Sequence, residues 1–138
     1  MKTTLSAHMR RTTLSVLVVD DDDVLRASMR AMIQAYGASL LEAMDAPQAL
    51  TLLRMGYRPG IVVTDLFMPA MDGLEFAQQI RRACTAQKIL LVTGLPPQAP
   101  QYARVEKALE EGLITAVLNR PFTALEFEGA LDALLDAS

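Results

Sequence analysis

The sequence contains one cysteine, one histidine and no tryptophan among its 138 residues. A single thiol, Cys84, cannot form an internal disulfide framework, and this scarcity is typical of proteins from a reducing compartment. The one histidine, His8, lies near the start of the sequence, which argues against a metal cluster rich in histidine or a Ser-His-Asp triad. His8 is also an unconvincing phosphotransfer histidine. The chemistry must therefore come from other side chains.

Long apolar runs and an excess of positive charge are also absent. No stretch approaches the ~20 apolar residues that span a bilayer. The net charge is -3 with a pI near 5.1, so no general basic field attracts nucleic acid or an anionic membrane. Residues 1–11 are basic but lack the apolar segment of a signal peptide. We expect a cytoplasmic protein without a direct nucleic-acid or membrane partner, with residues 1–13 forming a flexible tail.

Five apolar segments alternate with five segments of helical periodicity. The predicted strands are residues 14–19, 39–43, 61–65, 88–93 and 113–118. The predicted helices are residues 23–36, 46–55, 74–84, 102–111 and 124–135. This alternation favours a single α/β domain over residues 14–137, with a doubly wound, five-stranded parallel sheet and helices on both faces.

Capping residues in the sequence support the predicted helices, and three sulfur-containing residues are predicted to pack in the core or in a loop. Asp45 is expected to cap the second predicted helix, and Thr123 with Glu126 forms a capping-box pattern before the last one. Cys84 ends an apolar helix face, so we expect it in the core rather than as a nucleophile. Met68 and Met71 are expected to pack the loop that follows residue 65.

Carboxylates follow the first and third predicted strands. Asp20 and Asp21 come directly after the first, and Asp65 ends the third. Because ligands of open α/β sheets lie beyond the carboxyl ends of the strands, these three acids are expected to converge. Crowded carboxylates repel one another and favour a hard cation such as Mg2+. Asp22 or Asp23 is expected to cap the next helix instead.

A hydroxyl group and a cation stand at the carboxyl ends of the fourth and fifth predicted strands. Thr93 ends the fourth predicted strand, and Arg120 follows the fifth. Acids with Mg2+, a hydroxyl and a guanidinium around one carboxylate make a site suited to a phosphoryl group. No glycine-rich loop follows the first strand, so a nucleotide cofactor has no phosphate cradle.

In this combination the sequence resembles the receiver domain of two-component response regulators, which have a flavodoxin-like fold. The resemblance covers residues 14–137. The segments that carry it are VVDD (18–21), TD (64–65), MPAMDG (68–73), VTG (92–94) and RPF (120–122). Any one of these segments alone would be weak evidence, whereas their order along one chain is specific.

The resemblance implies a role for each of these residues. Asp65 would accept a phosphoryl group from a phosphohistidine on a sensor histidine kinase or a histidine phosphotransfer protein. Asp21, Asp65 and the backbone carbonyl of Phe67 would hold Mg2+, with Asp20 acting directly or through water. Thr93 would hydrogen-bond the phosphate, and the peptide bond before Pro121 would be cis.

The same resemblance implies a phosphoprotein switch that signals through a downstream protein target rather than an enzyme. Receivers often pair through the last two helices and the fifth strand, so a homodimer is one expected arrangement.

The sequence departs from the family pattern at several positions. Arg120 stands where the family has lysine, and Val117 where it often has an aromatic switch residue. The connection after Thr93 is longer than usual and holds three prolines, which predicts an unusual following helix and partner surface. Phe67 and Leu95 flank the path of an attacking water and cannot orient it, which predicts a long-lived acyl phosphate.

Two other functions remain open from the residues. A pseudo-receiver would serve only as a protein-interaction module, and Arg120 and Val117 favour that reading. A phosphatase-like hydrolase would use Asp65 as nucleophile, but Phe67 stands where such an enzyme places its second acid.

Overall fold

The computed structural model describes residues 4–136, which form five strands and six helices. The strands are β1 (Ser15–Val19), β2 (Ser39–Ala43), β3 (Ile61–Asp65), β4 (Lys88–Thr93) and β5 (Ala116–Asn119). The helices are α1 (Thr4–Thr13), α2 (Asp23–Tyr36), α3 (Ala46–Arg54), α4 (Gly73–Ala83), α5 (Tyr102–Glu110) and α6 (Ala124–Asp136). None of the helices in this described range is long and apolar enough to cross a membrane.

All five strands are parallel and pair in the order β2-β1-β3-β4-β5. Strands β1, β3 and β4 are buried along almost their whole length, because helices cover both faces of the sheet. One core packs α3, α4 and α5 against one face, and a second packs α2 and α6 against the other. The predicted doubly wound parallel sheet with a flavodoxin-like fold is confirmed.

The helix ends follow the capping residues in the sequence. Asp22 caps α2 by accepting bonds from two backbone N–H groups, and Gly37 ends that helix with a left-handed φ of 101°. Asp45 caps α3. Thr123 and Glu126 exchange the two bonds of a capping box at the start of α6. These predictions are confirmed, and each cap stabilises its helix by about 1 kcal/mol.

The expected flexible tail is wrong for residues 4–13, which form α1. Arg11 makes two 3.0 Å bonds to the carboxylate of Asp132 on α6, and its guanidinium lies 4.2 Å above the ring of Tyr36. Arg10 also pairs with Asp136. The structure therefore has six helices where the sequence predicts five, and residues 1–3 of the predicted tail lie outside the described residues.

Two further predictions need correction. Strand β5 begins at Ala116 rather than at residue 113, because the backbone of Thr115 still turns to bond Ile89. Cys84 is exposed instead of buried, because α4 ends before it and its own backbone is extended at φ -150°. The buried face of α4 ends at Ile80.

The proline-rich connection after β4 turns twice before α5 begins. Ala99 donates its backbone N–H to Pro96, and Tyr102 donates to Ala99. Helix α5 then starts without any capping side chain. The prolines predicted an unusual helix and partner surface after β4; the uncapped start of α5 agrees with the first of these, and the partner surface stays a prediction.

Candidate functional site

Strands β1 and β3 lie side by side and end at the same edge of the sheet. Val19 pairs with Thr64 across the two strands, so Asp20 and Asp65 stand at the same level. Carboxylate oxygens of Asp20, Asp21 and Asp65 lie within 4.8 Å of one another. The structure thus brings together the three acids that the sequence placed at the ends of two different strands.

Two of these acids are buried, and burial disfavours their charged forms. Asp20 is 1% exposed and Asp65 is 6% exposed, whereas Asp21 faces solvent. Desolvation raises the pKa of Asp20 to about 6, opposed mainly by the backbone N–H of Asp22 and reinforced by the charge of Asp65. Desolvation also raises the pKa of Asp65, opposed mainly by the positive charge of Arg120.

One oxygen of Asp20 lacks the partner that a buried acceptor requires. Its Oδ1 accepts a 2.9 Å bond from the backbone N–H of Asp22. Its Oδ2 is buried and has no hydrogen-bond donor within the described part of the chain. A buried unsatisfied acceptor costs about 1–3 kcal/mol, so a group missing from the protein itself is expected there. Three close carboxylates with one free oxygen fit a hard divalent cation.

Arg120 reaches the site from the far edge of the sheet. Its Nη2 lies 3.2 Å from Asp65 Oδ1, and its backbone N–H donates a 2.8 Å bond to the carbonyl of Thr93. The peptide bond before Pro121 is cis, as the resemblance implied. The Nε of Arg120 is buried without an acceptor among residues 4–136. The guanidinium therefore keeps donor capacity for another anion at this edge.

Thr93 is fully buried at the end of β4. Its Oγ1 accepts a 3.0 Å bond from the backbone N–H of Leu95. The hydroxyl proton remains available for an acceptor on the other side. Thr93 therefore lies at the correct strand end, with its oxygen engaged by the loop that leads to α5.

The loop after β3 packs tightly under Asp65. A Cβ on Gly73 would lie 2.2 Å from the carbonyl oxygen of Asp65, and Gly73 donates a 2.7 Å bond to Leu66. Only glycine fits such an approach. Phe67 follows in the same loop with a 55% exposed side chain, while Met68 packs against the core beneath it.

Sequence reasoning missed Arg26, which binds the acidic loop formed by residues 20–23. Its Nη1 donates a 2.8 Å bond to the carbonyl of Asp20, and Nη2 lies 2.6 Å from Asp23. Its Nε lies 3.3 Å from Glu42 on β2. Arg26 is the first cation after four consecutive aspartates in the sequence. That position could have indicated that Arg26 contacts the acidic loop.

A cavity of about 540 Å3 opens beside the site, between α2 and residues 120–122, which lead from β5 to α6. Asp20 and Arg120 are its charged lining residues, and the rest of the wall is mainly apolar. Met29 and Phe122 are among the apolar side chains. The cavity therefore gives access to Asp20 and Arg120 from the side of α2.

The fold and these strand-end residues define a class of signalling domain, and comparison with known families agrees. Residues 16–131 match the response regulator receiver domain family. This match covers most of the chain, so the protein belongs to that family.

Several known proteins are similar to this chain. Response regulator MprA of Mycobacterium sp. (strain KMS) is 33% identical over 120 residues, which cover 87% of this chain and 50% of MprA. MprA of Mycobacterium avium (strain 104) is 31% identical over 88% of this chain and 51% of its own length. The chain therefore spans about half the length of these relatives.

Solved structures show the same fold. The signal receiver domain of an HD domain-containing protein from Pseudomonas fluorescens Pf-5 superposes with a TM-score of 0.79 at 27% identity, covering 91% of this chain and 88% of that one. Response regulator TrrA from Thermotoga maritima, solved in complex with Mg(2+)-BeF, gives a TM-score of 0.75 at 25% identity. That superposition covers 88% of this chain and 99% of TrrA.

Proposed function

We propose that this protein is a phospho-accepting switch of a two-component phosphorelay, with Asp65 as the acceptor. The convergence of Asp20, Asp21 and Asp65, with the free Oδ2 of Asp20 among them, is the observation that carries this proposal. Membership of the receiver family and the similarity to MprA and TrrA support it.

The acidic cluster would hold Mg2+ through Asp20, Asp21, Asp65 and the backbone carbonyl of Phe67. When bound, the ion would neutralise charge on the phosphoryl oxygens. The chemistry of the ligands supports this assignment, because carboxylate and carbonyl oxygens are the donors that Mg2+ prefers. TrrA, which has the same fold, was solved with Mg(2+)-BeF.

Asp65 supplies the nucleophile for transfer. One carboxylate oxygen attacks phosphorus, the P–N bond to the donor histidine breaks, and a P–O bond to Asp65 forms. Because phosphoryl transfer depends mainly on positioning and charge stabilisation, a weak nucleophile suffices. Arg120, already 3.2 Å from Asp65, offsets the added negative charge, and the proton of Thr93 becomes a donor to the new phosphate.

The response would reach α5 through a hydrogen-bonded path that replaces the aromatic residue missing at position 117. The Oγ1 of Thr93 accepts a 3.0 Å hydrogen bond from the backbone N–H of Leu95, and the carbonyl of Leu95 accepts a 3.5 Å bond from Asn119 Nδ2. Tyr102 on α5 donates a 3.2 Å bond to Asn119 Oδ1. A shift of Thr93 toward phosphate would release Leu95 and disturb this contact with α5.

The partners follow from this role. The phosphoryl group would come from a sensor histidine kinase or a histidine phosphotransfer protein, and a downstream protein would read the result in the cytoplasm. The protein would act as a switch rather than as an enzyme. We also propose that two copies of the protein can pair through α5, β5 and α6, as receivers often do.

The acyl phosphate is expected to last for longer than seconds. Phe67, two residues after Asp65, has an apolar, 55% exposed side chain, and Leu95, two residues after Thr93, is partly buried. Neither side chain can accept a proton from water or hold it in line with phosphorus.

The decisive experiment compares wild type with Asp65→Asn. Acetyl phosphate with Mg2+ should add one phosphoryl group to the wild type by intact mass, and beryllofluoride with Mg2+ should shift its NMR spectrum. Asp65→Asn should give neither result, whereas the control Asp23→Asn should behave as wild type. Wild type that stays unmodified and unshifted would refute the proposal and favour a pseudo-receiver. Turnover of added phosphoesters would favour a hydrolase.

A further inference from the structure

A second cavity, of about 410 Å3, lies between the carboxyl-terminal ends of α3 and α4. These ends meet the amino-terminal edge of the parallel sheet, so the cavity is on the side opposite to Asp65. We call it the arginine cleft. Its lining residues are Leu50, Leu53, Arg54, Arg58, Gln79, Ile80, Arg82, Ala83, Cys84 and Gln87.

All the charged side chains that line the arginine cleft are positive. Three of its lining residues are arginines, and none is an acid. Residues 46–64 and 76–105, which contain the whole lining, include no aspartate or glutamate, although the chain has 16 acidic residues and a net charge of -3. Positive charge is therefore concentrated among the residues that line the cleft, although the protein is acidic as a whole, and this charge raises the local concentration of anions.

The guanidinium groups remain available to a ligand. Arg58 is oriented by bonds from Nη1 to the carbonyls of Leu53 and Tyr57, at 2.8 and 3.0 Å, which leaves its other N–H groups free to donate. No carboxylate in the described range 4–136 pairs with Arg54 or Arg82. A guanidinium fork binds phosphate or carboxylate oxygens in pairs, so each arginine can accept such a group.

Stabilisation of the helix ends accounts for only part of this arrangement. Arg54 and Arg82 lie in the last turns of α3 and α4, where a positive charge offsets the negative end of the helix dipole. Arg58 lies beyond α3 and donates from Nη1 to the carbonyl of Leu53 in the last turn, so it too stabilises this helix end, but its remaining N–H groups take no part in that bond. The dipole also gives no reason for an apolar cleft, floored by Leu50 and Ile80, beside three cations.

We propose that the arginine cleft binds a small organic anion. A phosphate or carboxylate group would lie between the guanidiniums of Arg54, Arg58 and Arg82, and the less polar part of the ligand would cover Leu50 and Ile80. The volume falls within the roughly 300–1,000 Å3 of small-molecule sites. The proposal does not depend on phosphorylation, because no residue of the acceptor site lines this cleft.

The experiment uses 1-naphthyl phosphate as the probe, with inorganic phosphate and neutral 1-naphthol beside it. Titrations are followed by amide NMR shifts in the Asp65→Asn background with EDTA, so that neither phosphoryl transfer nor metal contributes. We expect saturable shifts of the amides around Arg54 and Arg82. Inorganic phosphate should bind more weakly, because it covers no apolar surface, and 1-naphthol more weakly still.

Cys84 gives an independent readout because it is exposed and lines the cleft. The naphthyl phosphate should slow its reaction with N-ethylmaleimide. The double substitution Arg54→Gln/Arg82→Gln should weaken binding by about tenfold or more and remove this protection. Lys107→Gln is the matched control, since it removes one exposed charge on α5, away from the cleft, and should bind as the parent does.

Three outcomes would overturn the proposal. The first is the absence of saturable shifts around the cleft at millimolar probe. The second is binding that the two arginine substitutions leave unchanged. The third is equal affinity for 1-naphthol, which would mean that the cleft selects apolar surface and not an anion.

Discussion

Replacing Asp20 with asparagine should stabilise the metal-free protein. The folded state raises the pKa of Asp20 from 3.8 to about 6, so it holds the proton more tightly than the unfolded chain does. Keeping this carboxylate ionised in the fold therefore costs about 3 kcal/mol at pH 8. Asparagine is neutral and can still accept the 2.9 Å bond from Asp22, so we expect a gain of about 2 kcal/mol.

The sign of the pH dependence follows from the same shift. The cost of ionisation is complete above the folded pKa of about 6 and disappears below the unfolded value of 3.8. The advantage of Asp20→Asn should therefore be largest at pH 8, roughly half as large near pH 5, and a few tenths of a kcal/mol near pH 4. Thermal unfolding in EDTA should show a Tm about 5–10 °C higher for the variant at pH 8.

Magnesium should reverse this ranking. Binding of the proposed ion at a hundred times Kd would stabilise the folded wild type by about 2.7 kcal/mol, whereas Asp20→Asn should gain much less. Asp23→Asn is the control, because Asp23 is exposed and pairs with Arg26 at 2.6 Å. It should lose at most about 1 kcal/mol at any pH. A variant Asp20→Asn that is less stable than wild type at pH 8 in EDTA would contradict the burial argument.

The remaining predictions concern the loop and the switch. Gly73→Ala should destabilise the fold by about 1–3 kcal/mol in urea unfolding, because its methyl group would meet the carbonyl of Asp65 at 2.2 Å, and no loss would show that the loop yields. Arg120→Met should raise the pKa of Asp65 further in NMR titrations and weaken beryllofluoride binding, because the opposing charge is removed; an unchanged pKa would contradict the 3.2 Å contact. Tyr102→Phe should leave beryllofluoride affinity unchanged but reduce the NMR shifts on α5, and full shifts would rule out the path through Asn119. Phe67→Asn should shorten the lifetime of phosphorylated protein measured by decay of label, since an amide can orient water.

The sheet could be predicted from sequence because its central strands are apolar on both faces and each ends at a turn or a polar residue. Parallel pairing then brings the residues after Val19 and Thr64 together, whatever the details of the helices. The capping residues Asp22 and Asp45 act within a few residues of their own position, so local pattern was sufficient for them as well.

Features that depend on contacts between residues far apart in the sequence were missed, because no local pattern signals such contacts. Helix α1 packs through Arg11 and Asp132, which are 121 positions apart, and no local pattern links them. Tyr102 and Asn119 are likewise joined only after β5 and α5 have packed. Cys84 illustrates the opposite error, because helical spacing placed it on the apolar face although the helix had already ended.

The contacts of α1 bring the two ends of the described chain together. Arg10 pairs with Asp136, and Arg11 pairs with Asp132, so the first and last helices meet on one side of the domain. A short peptide linker between these ends would leave the acceptor edge untouched, and new termini could be opened in an exposed loop. The domain is consequently a good candidate for circular permutation or for insertion into a fluorescent host, where it would serve as a genetically encoded reporter of the phosphorylation proposed above.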